Sequence, residues 1–139
     1  MSNPTEPPTA APPAPSTSSS SASGGQSSCL FCKIRDGQIP ATIIYRDERA
    51  LAFKDIGPKA PFHNLVIPLE HVETLAEADA AHEALLGHLM LVAARVAREG
   101  GLADKGFRVV MNSGVGAGQT VFHMHLHVLA GRAFGWPPG

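Results

Sequence analysis

Apolar residues and histidines alternate along residues 121–129, and this alternation constrains the fold more than any other feature of the chain. A period of two residues predicts a β-strand that buries one face. The residues expected to point into the core are Phe122, Met124, Leu126 and Val128. The residues expected to point the other way are His123, His125 and His127. Neighbouring imidazoles on that face would lie roughly 7 Å apart at the usual rise of a strand.

Three imidazoles on one face of a strand are difficult to explain by packing. Neutral histidine is a nucleophile, an acid or base near neutral pH, and a metal ligand. Two simpler explanations stay open, namely a structural zinc site and a solvated strand edge. The segments on either side of the strand help to distinguish a catalytic role of the histidines from these two explanations.

Length and charge exclude several classes of function. The chain has 139 residues, enough for one domain, and its formal net charge of -1 gives no electrostatic basis for bulk binding of nucleic acid or a membrane surface. No apolar run approaches the roughly 18 residues that a transmembrane helix needs, and the first residues have neither a basic nor an apolar leader segment. Cys29 and Cys32 are the two cysteines of the chain and form a C-x-x-C pair. This pattern is not typical of the disulfide framework of a secreted protein. We therefore expect an intracellular, cytoplasmic protein.

Residues 1–27 differ in composition from the rest of the chain. Pro, Ser, Ala and Thr dominate, Glu6 is the single charged side chain, and large apolar residues are almost absent. Such a segment buries too little to offset its ordering entropy, so we expect it to be disordered and to precede one domain at residues 28–139. An organelle transit peptide and a phosphorylatable spacer are alternatives, although the absence of arginine disfavours the first.

The first half of the domain is predicted to be a short helix followed by three strands. The predicted elements are a helix over residues 29–37 and strands over residues 41–46, 50–54 and 63–67. Gly37 ends the helix, and the polar turn at residues 47–49 makes the first two strands a hairpin. Asp55 begins a loop that contains two prolines. Its carboxylate caps a turn there or accepts hydrogen bonds from a sugar diol.

A long helix and a final hairpin follow. The predicted elements are a helix over about residues 79–98 and strands over residues 106–112 and 121–129. The apolar residues at helical spacing are Leu85, Leu89, Val92 and Val96. This face should lie on the apolar face of the sheet. The capping-box spacing at residues 74–77 predicts a short turn, and His82 and His88 are expected at the surface or its boundary.

Glycines alternate in the loop at residues 113–120, which joins the last two strands. Glycine allows positive φ, so successive N–H groups can form an anion-binding nest, with Gln119 and Thr120 adding polar side chains at its entrance. A Walker loop is excluded because the lysine is missing and a strand follows. Since the loop ends directly before the histidines, we predict a phosphate-sized anion held beside a row of imidazoles.

Residues 123–129 have the form His-φ-His-φ-His-φ-φ, where φ is apolar. Three further segments accompany this motif, at residues 51–56, 60–68 and 136–139. With these motifs the chain resembles the Hint branch of the histidine-triad (HIT) nucleotide-binding proteins over residues 28–139. The tryptophan-proline-proline-glycine ending separates this branch from the others.

The resemblance implies an α+β fold with a five-stranded antiparallel sheet and two helices. Two copies would join their sheets into a ten-stranded sheet in a homodimer. The implied activity is hydrolysis of purine nucleoside phosphoramidates, such as adenosine 5'-monophosphoramidate, and of aminoacyl-adenylates, with purine nucleoside monophosphates as ligands. Catalysis of this kind requires no cofactor, and neither nucleic acid nor a membrane is an expected partner.

The resemblance also implies roles for individual residues. His125 is the implied nucleophile, and His127 contacts the phosphate and helps protonate the leaving amine, with His123 and His63 completing the histidine cluster. The residues implied to hold the nucleoside are Phe53, Asp55 and Ile56, with Asp55 on the ribose hydroxyls. The residues implied to hold the α-phosphate beside the two catalytic histidines are Asn112, Gly118, Gln119 and Thr120. Trp136 is implied to pack at the dimer-linked C-terminus.

The paired cysteines are absent from many eukaryotic Hint proteins. In some bacterial histidine-triad proteins and in the related galactose-1-phosphate uridylyltransferases, such a pair joins two histidines on a structural zinc ion. The corresponding residues here are Cys29, Cys32, His71 and His123, a donor set suited to tetrahedral zinc. Two reduced, unligated cysteines are the alternative.

Three other functions stay open beside a phosphoramidase. The first is a nucleotide-dependent scaffold whose hydrolysis is incidental. The second is a dinucleoside polyphosphate hydrolase of the neighbouring branch, which the C-terminal motif disfavours. The third is a metal-binding module, which would use all three histidines of the triad as ligands and would have no affinity for AMP.

Overall fold

The computed structural model describes residues 28–139, so the disorder and the targeting role considered for residues 1–27 lie outside the described residues. The strands of the described range are β1 (Ile43–Arg46), β2 (Ala50–Lys54), β3 (Phe62–Pro68), β4 (Phe107–Val110) and β5 (Leu126–Ala130). Its α-helices are α1 (Leu30–Arg35) and α2 (Glu83–Glu99). Short 3₁₀ turns span Leu75–Glu77, Ala80–His82 and Val115–Ala117.

The five strands form one antiparallel sheet in the order β1-β2-β3-β5-β4. β1 and β2 pair as the predicted hairpin. β3 lies in the middle, and its pairing with β5 sets His63 opposite Leu129 and Leu65 opposite His127. The antiparallel sheet with two helices confirms the fold class predicted from the sequence.

The two helices cover opposite faces of this sheet. Ala50 and Ala52 of β2 belong to the core cluster beneath α2, whereas Leu51 and Phe53 belong to the cluster beneath α1. All four of these residues are buried. A strand buried on both faces is expected to be apolar at every position, which explains why β2 shows a continuous apolar run instead of an alternating one.

Helix α2 follows the predicted apolar spacing, but it begins at Glu83 instead of near Asp79. The Asp79 side chain accepts from the Ala81 N–H, and the His82 ring closes a capping box on the preceding 3₁₀ turn. Thr74 makes no capping hydrogen bond, although the short turn predicted after it does form. Among residues 28–139, no helix is both long enough and apolar enough to cross a membrane.

β5 covers only the second half of the strand predicted over residues 121–129. In the first half the backbone bonds to other partners. The Gln119 side chain donates to the Val121 carbonyl at 3.0 Å, and the Met124 N–H donates to the Val72 carbonyl at 2.7 Å. These bonds satisfy backbone groups that a longer strand would have paired with the sheet, so the prediction is partly wrong.

The side chains of this segment divide between two faces as predicted, with one exception. The residues in the core beneath α2 are Met124, Leu126 and Val128. Phe122 is the exception, because it is 36% exposed and lies outside that core. His123 and His125 are buried on the other side, where Phe31 of α1 lies edge-on to both rings.

Asp47 joins the β1–β2 turn to helix α2. Its Oδ1 accepts from the N–H groups of Arg49 (2.7 Å) and Ala50 (2.8 Å), and its Oδ2 accepts from the Tyr45 hydroxyl and the His88 Nε2–H, both at 2.6 Å. Burial alone would raise the pKa of this carboxyl, but the hydrogen bonds, led by that from Tyr45, hold the pKa well below its usual range. His88 is therefore a structural residue at the boundary between helix and sheet.

We expect Asp47→Asn to lower the free energy of unfolding by about 2 kcal/mol near pH 7, because an amide nitrogen in place of Oδ2 cannot accept from Tyr45 and His88. The folded carboxyl has a depressed pKa, so its contribution is complete above the unfolded pKa of about 3.9 and is lost as pH falls below that value. Urea unfolding of both proteins at pH values between about 7 and 3 measures this difference.

Glu48→Gln is the matched control for this experiment. Glu48 is exposed in the same turn, so its substitution should leave the unfolding free energy within about 0.5 kcal/mol at every pH. A difference between Asp47→Asn and the unsubstituted protein that stays constant into the acid range would contradict the role assigned to the carboxylate.

Candidate active site and metal-ligand cluster

A cavity of about 210 Å³ opens beside α1, on the sheet face opposite α2. Phe31 and Ile34 of α1, with Phe53 and Leu65 of the sheet, belong to its apolar wall. The polar residues that line it are Lys54, Asp55, Thr120, His125 and His127. An apolar chamber with a few convergent polar groups is the usual form of a small-molecule site.

The structure brings many of the predicted site residues to this cavity. Those that line it are Phe53, Asp55, Ile56, Thr120, His125 and His127. The predicted phosphate-binding residues outside its lining are Asn112, Gly118 and Gln119. His63 and His123 also lie outside the lining, but each bonds to one of the two histidines that line it.

Part of the glycine-rich loop is hydrogen-bonded within itself, so the N–H groups involved are not available to the predicted anion nest. The backbone donors that bond within the loop are the N–H groups of Gly114, Ala117, Gly118 and Gln119. Gln119, expected at the entrance, is only 3% exposed, and its amide accepts from Gly114 and donates to the carbonyls of Glu73 and Val121. A buried amide needs such partners, so the Gln119 side chain holds the loop together. Thr120 is the polar residue of this loop that lines the cavity.

The ring of His125 is oriented by the backbone. Its Nδ1 lies 2.8 Å from the His123 carbonyl oxygen, which can only accept, so Nδ1 carries the proton and Nε2 keeps its lone pair. Phe31 packs edge-on against the ring, with 5.0 Å between the ring centroids. Burial lowers the pKa of His125 below its ordinary value. His125 is therefore a buried imidazole with a free Nε2.

A second series of hydrogen bonds places the proton of His127. The Lys59 N–H donates to His63 Nδ1 at 2.9 Å, so His63 carries its proton on Nε2. That Nε2 lies 2.9 Å from His127 Nδ1, which must accept, so His127 carries its own proton on Nε2. Burial and the neighbouring charges of His125 and His63 lower the pKa of His127 to about 4. The two histidines of the cavity thus differ, because His125 has a lone pair at Nε2 and His127 has an N–H there.

Asp55 fills the turn-capping role considered from the sequence. Its Oδ1 accepts from the Gly57 N–H at 2.8 Å, which closes the turn after β2. Its Oδ2 lies 3.3 Å from His63 Nε2. The carboxylate also lines the cavity, so a contact with a sugar diol stays a prediction that the geometry permits.

Four side chains converge where α1 meets the sheet. His123 Nδ1 lies 3.4 Å from Cys29 Sγ and 3.5 Å from Cys32 Sγ. His71 Nδ1 lies 3.2 Å from both Cys32 Sγ and His123 Nδ1. Cys29 is also the N-cap of α1, where its sulfur accepts from the Cys32 N–H. The sequence-predicted ligand set is therefore brought together in space.

The geometry of this cluster fits a tetrahedral zinc ion. Bond lengths of about 2.3 Å to sulfur and about 2.0 Å to nitrogen require N···S separations of roughly 3.5 Å and N···N separations of roughly 3.3 Å. The measured N···S distances are 3.4, 3.5 and 3.2 Å, and the N···N distance is 3.2 Å. His123 also donates its Nε2–H to the Pro68 carbonyl at 2.8 Å, which leaves the Nδ1 lone pair for a metal.

Two further observations describe the surroundings of this cluster. Among the described residues, His71 Nε2 is a buried polar atom without a hydrogen-bond partner, and the Glu73 carboxylate is 3.8 Å away. Burial and the neighbouring Cys29 raise the pKa of Cys32 to about 11. A cation among the four donors would instead favour the thiolate.

The sequence of residues 36–134 matches the family model of the HIT domain. The chain belongs to the HIT family. An uncharacterized HIT-like protein of Synechococcus elongatus is 50% identical to it over 110 residues, which cover 79% of this chain and 96% of the relative. A HIT family hydrolase of Legionella pneumophila has a TM-score of 0.78 and 46% identity, covering 80% of this chain and 99% of that one. A HIT family hydrolase of Clostridium thermocellum has a TM-score of 0.76 and 46% identity, covering 78% and 94%.

Membership of the HIT family confirms the family predicted from the sequence, whereas the Hint branch stays a prediction. Sequence reasoning missed Lys59 and Pro68, because both act through backbone atoms that leave no residue pattern. It also missed Phe31 as a wall of the site. The position of Phe31 between Cys29 and Cys32 could have indicated that its side chain lies close to the histidine cluster.

Proposed function

We propose that this HIT protein hydrolyses purine nucleoside 5'-phosphoramidates and releases AMP or GMP through a covalent nucleotidyl-His125 intermediate. One observation carries the proposal. A free Nε2 on His125 and an Nε2–H on His127 occur together at an apolar cavity. Two proteins of similar structure bear the name HIT family hydrolase, which supports a hydrolytic reaction.

In the first step the Nε2 lone pair of His125 attacks phosphorus, so that an N–P bond to His125 forms as the bond to the leaving nitrogen breaks. The His123 carbonyl accepts from Nδ1–H and stabilises the positive charge that develops on the ring. The leaving nitrogen needs one proton to depart as an amine. His127 in its protonated form is the acid at that position: it presents an N–H at Nε2 and is left as a neutral imidazole once that proton has gone to the leaving amine.

In the second step water attacks phosphorus and breaks the bond to His125. His127 takes the proton from that water, so it regains the proton it gave in the first step. The nucleoside monophosphate leaves, and His125 returns with its Nε2 lone pair free. Each histidine therefore ends the cycle in its starting state.

The cavity suggests how the nucleoside is held. Phe53 and Ile56 would contact the base, and Asp55 would accept from the ribose hydroxyls. Thr120, with His125 and His127, would contact the phosphate. Asn112, Gly118 and Gln119 lie outside the lining of the empty cavity, so the phosphate contact is proposed first for Thr120, His125 and His127.

We also propose that Cys29, Cys32, His71 and His123 hold a structural zinc ion. When bound, the ion supplies a rigid crosslink between α1 and the sheet. His123 would bind it through Nδ1 while its carbonyl oxygen orients His125 and its Nε2–H bonds to Pro68. The same residue would therefore connect the metal ligands to the nucleophile.

The homodimer also stays a proposal. Within the described chain β4 is an edge strand of the sheet, and Met90, Leu91 and Trp136 are exposed apolar side chains. A second copy is one partner that can cover an open strand edge and exposed apolar groups.

We expect the protein to hydrolyse adenosine 5'-monophosphoramidate at least about tenfold faster than diadenosine triphosphate, a difference of about 1.4 kcal/mol in activation free energy. The longer anionic chain of a dinucleoside polyphosphate needs cationic partners, and among residues 28–139 Lys54 is the sole lysine or arginine that lines the cavity. Comparison of kcat/KM for the two substrates measures the preference.

Equal or faster hydrolysis of diadenosine triphosphate would contradict the assignment to phosphoramidates and favour the neighbouring branch of the family. Hydrolysis of neither substrate, with AMP still bound, would instead favour a nucleotide-binding scaffold. Zinc without any affinity for AMP would favour the metal-binding module.

A further inference from the structure

The segment after β5 turns back across the loop that follows β2. Gly131 makes this turn at φ +95°, and a Cβ there would lie 3.0 Å from Pro61. The Arg132 guanidinium lies 4.3 Å from the centroid of the Phe134 ring, and that of Arg108 lies 5.2 Å from it. Cation–π stacking and the close approach at Gly131 thus hold Arg132 in a defined position.

Arg132 binds the backbone at Lys59. Its Nε–H donates to the Lys59 carbonyl at 3.0 Å, although the residues are far apart in sequence. The N–H of the same residue donates to His63 Nδ1 at 2.9 Å. Pro58 precedes Lys59 and restricts the backbone of the loop. Movement of the Lys59 backbone would therefore change the hydrogen bond that His63 receives.

The hydrogen bond from the Lys59 N–H to His63 determines which nitrogen of the His63 ring carries the proton. While Nδ1 accepts from Lys59, the proton of His63 must be on Nε2. His63 Nε2 then donates to His127 Nδ1 at 2.9 Å, and the proton of His127 must be on Nε2. Without the Lys59 contact, the 3.3 Å contact of His63 Nε2 with the Asp55 carboxylate is the remaining interaction that favours a proton on Nε2. His63 can then also carry its proton on Nδ1 and accept at Nε2, in which case the proton of His127 moves to Nδ1.

We propose that Arg132 is a positioning residue of the active site, which acts through Lys59 and His63 to keep the proton of His127 on Nε2. The reaction in which this matters is the proposed function, and the placement of the proton does not depend on it. Arg132 touches neither the cavity nor the histidines, so it acts through its contact with the Lys59 backbone.

The alternative is that Arg132 only anchors the C-terminal segment. A purely structural role would change the stability of the protein without changing the tautomer of any histidine. The decisive measurement is therefore the position of the proton on each ring, which long-range ¹H–¹⁵N correlation spectra of ¹⁵N-histidine-labelled protein report directly. Spectra of the unsubstituted protein should show Nε2–H for His63 and His127 and Nδ1–H for His125.

Arg132→Met keeps the aliphatic stem and removes the donor to the Lys59 carbonyl. We expect His63 and His127 of this variant to populate both tautomers, while His125 keeps its Nδ1–H, because its partner is the His123 carbonyl. With adenosine 5'-monophosphoramidate, kcat should fall by about 10- to 100-fold with little change in KM, as expected when an acid is misplaced. Arg132→Lys retains a donor and should recover part of both effects.

Arg98→Met is the matched control, because Arg98 is an exposed arginine at the end of α2. It should leave the spectra and the rate unchanged.

Pure Nε2–H signals for His63 and His127 in Arg132→Met would overturn the inference, whatever the stability of the variant. If Arg132→Met does not fold, the same spectra of Arg132→Lys and Phe134→Ala decide the question, and unmixed tautomers in both would overturn it. Because the tautomers are read without substrate, failure of the proposed phosphoramidase activity is distinguishable from failure of this inference.

Discussion

His125→Ala will reduce AMP release from adenosine 5'-monophosphoramidate by at least about 10⁴-fold, because it removes the nucleophile of a covalent mechanism. No other imidazole of the cavity can replace it. The Nδ1 of His127 is engaged by His63 and its Nε2 carries a proton, and His123 is turned away toward the cysteines. Steady-state assays of AMP formation by both proteins measure the loss.

The matched control for this experiment is His82→Ala. His82 is a half-buried histidine at the N-terminus of α2, where it closes a capping box away from the cavity. This variant should lose some stability but keep its rate. AMP binding by His125→Ala, measured calorimetrically, should persist, because Phe53, Ile56 and Asp55 are intact. A His125→Ala variant that releases AMP at the rate of the unsubstituted protein would exclude His125 as nucleophile.

Trapping the intermediate gives a second readout of the same step. Rapid acid-free quenching with a phosphate-labelled substrate should leave label on His125, and the label should be absent from His125→Ala. If neither protein releases AMP yet both bind it, the scaffold function gains support. In that case the test moves to whether His125→Ala affects the function of the protein in cells.

Protein purified without a histidine tag or chelator will contain about one zinc ion per chain, as expected of a closed Cys₂His₂ site. Cys32→Ser will lose most of the metal, because Cys32 Sγ lies within 3.5 Å of both histidine donors. Removal of zinc should also lower stability. With free zinc at about a thousand times its dissociation constant, binding stabilises the folded protein by about 4 kcal/mol.

Two measurements check this prediction independently of activity. Elemental analysis gives the metal content, and cobalt substitution should produce the intense thiolate absorption of a tetrahedral site. Thermal unfolding with and without chelator gives the stability difference. The His82→Ala variant again serves as control, since it removes a histidine outside the cluster and should retain the metal.

Absence of zinc from the untagged protein, with no effect of chelator on thermal unfolding, would reject the metal site. The same result would support two reduced, unligated cysteines. Cysteine variants that keep zinc would instead indicate that the three histidines of the triad bind it.

The secondary structure was largely predictable because it depends on local periodicity. The spacing of Leu89, Val92 and Val96 predicted both the existence of α2 and the face it buries. The prediction failed at Phe122, where alternation continued but the backbone did not remain in the sheet. The reason is that Gln119 and Val72 bond to this segment, and neither contact leaves a trace in the local pattern.

The glycine-rich loop shows the same limit at the candidate site. Its composition predicted exposed N–H groups and an exposed Gln119, whereas the loop satisfies several of these donors internally and buries Gln119. Glycine content permits a nest but does not decide which acceptor each N–H finds. That choice depends on the path of the chain through Glu73, which is remote in sequence.

Most elements of the fold, the family and the residues that can carry chemistry were predictable from the sequence, because periodicity and motif are properties of neighbouring residues. The role of each histidine became visible once the fold had placed its partners. His123 faces the cysteines, His125 keeps a lone pair on Nε2, and His127 has an N–H there. Each ring has two nitrogens, and the hydrogen-bond partner of one nitrogen decides whether the other carries a proton. Two of those partners are the backbone groups of Pro68 and Lys59, which folding alone brings to the rings.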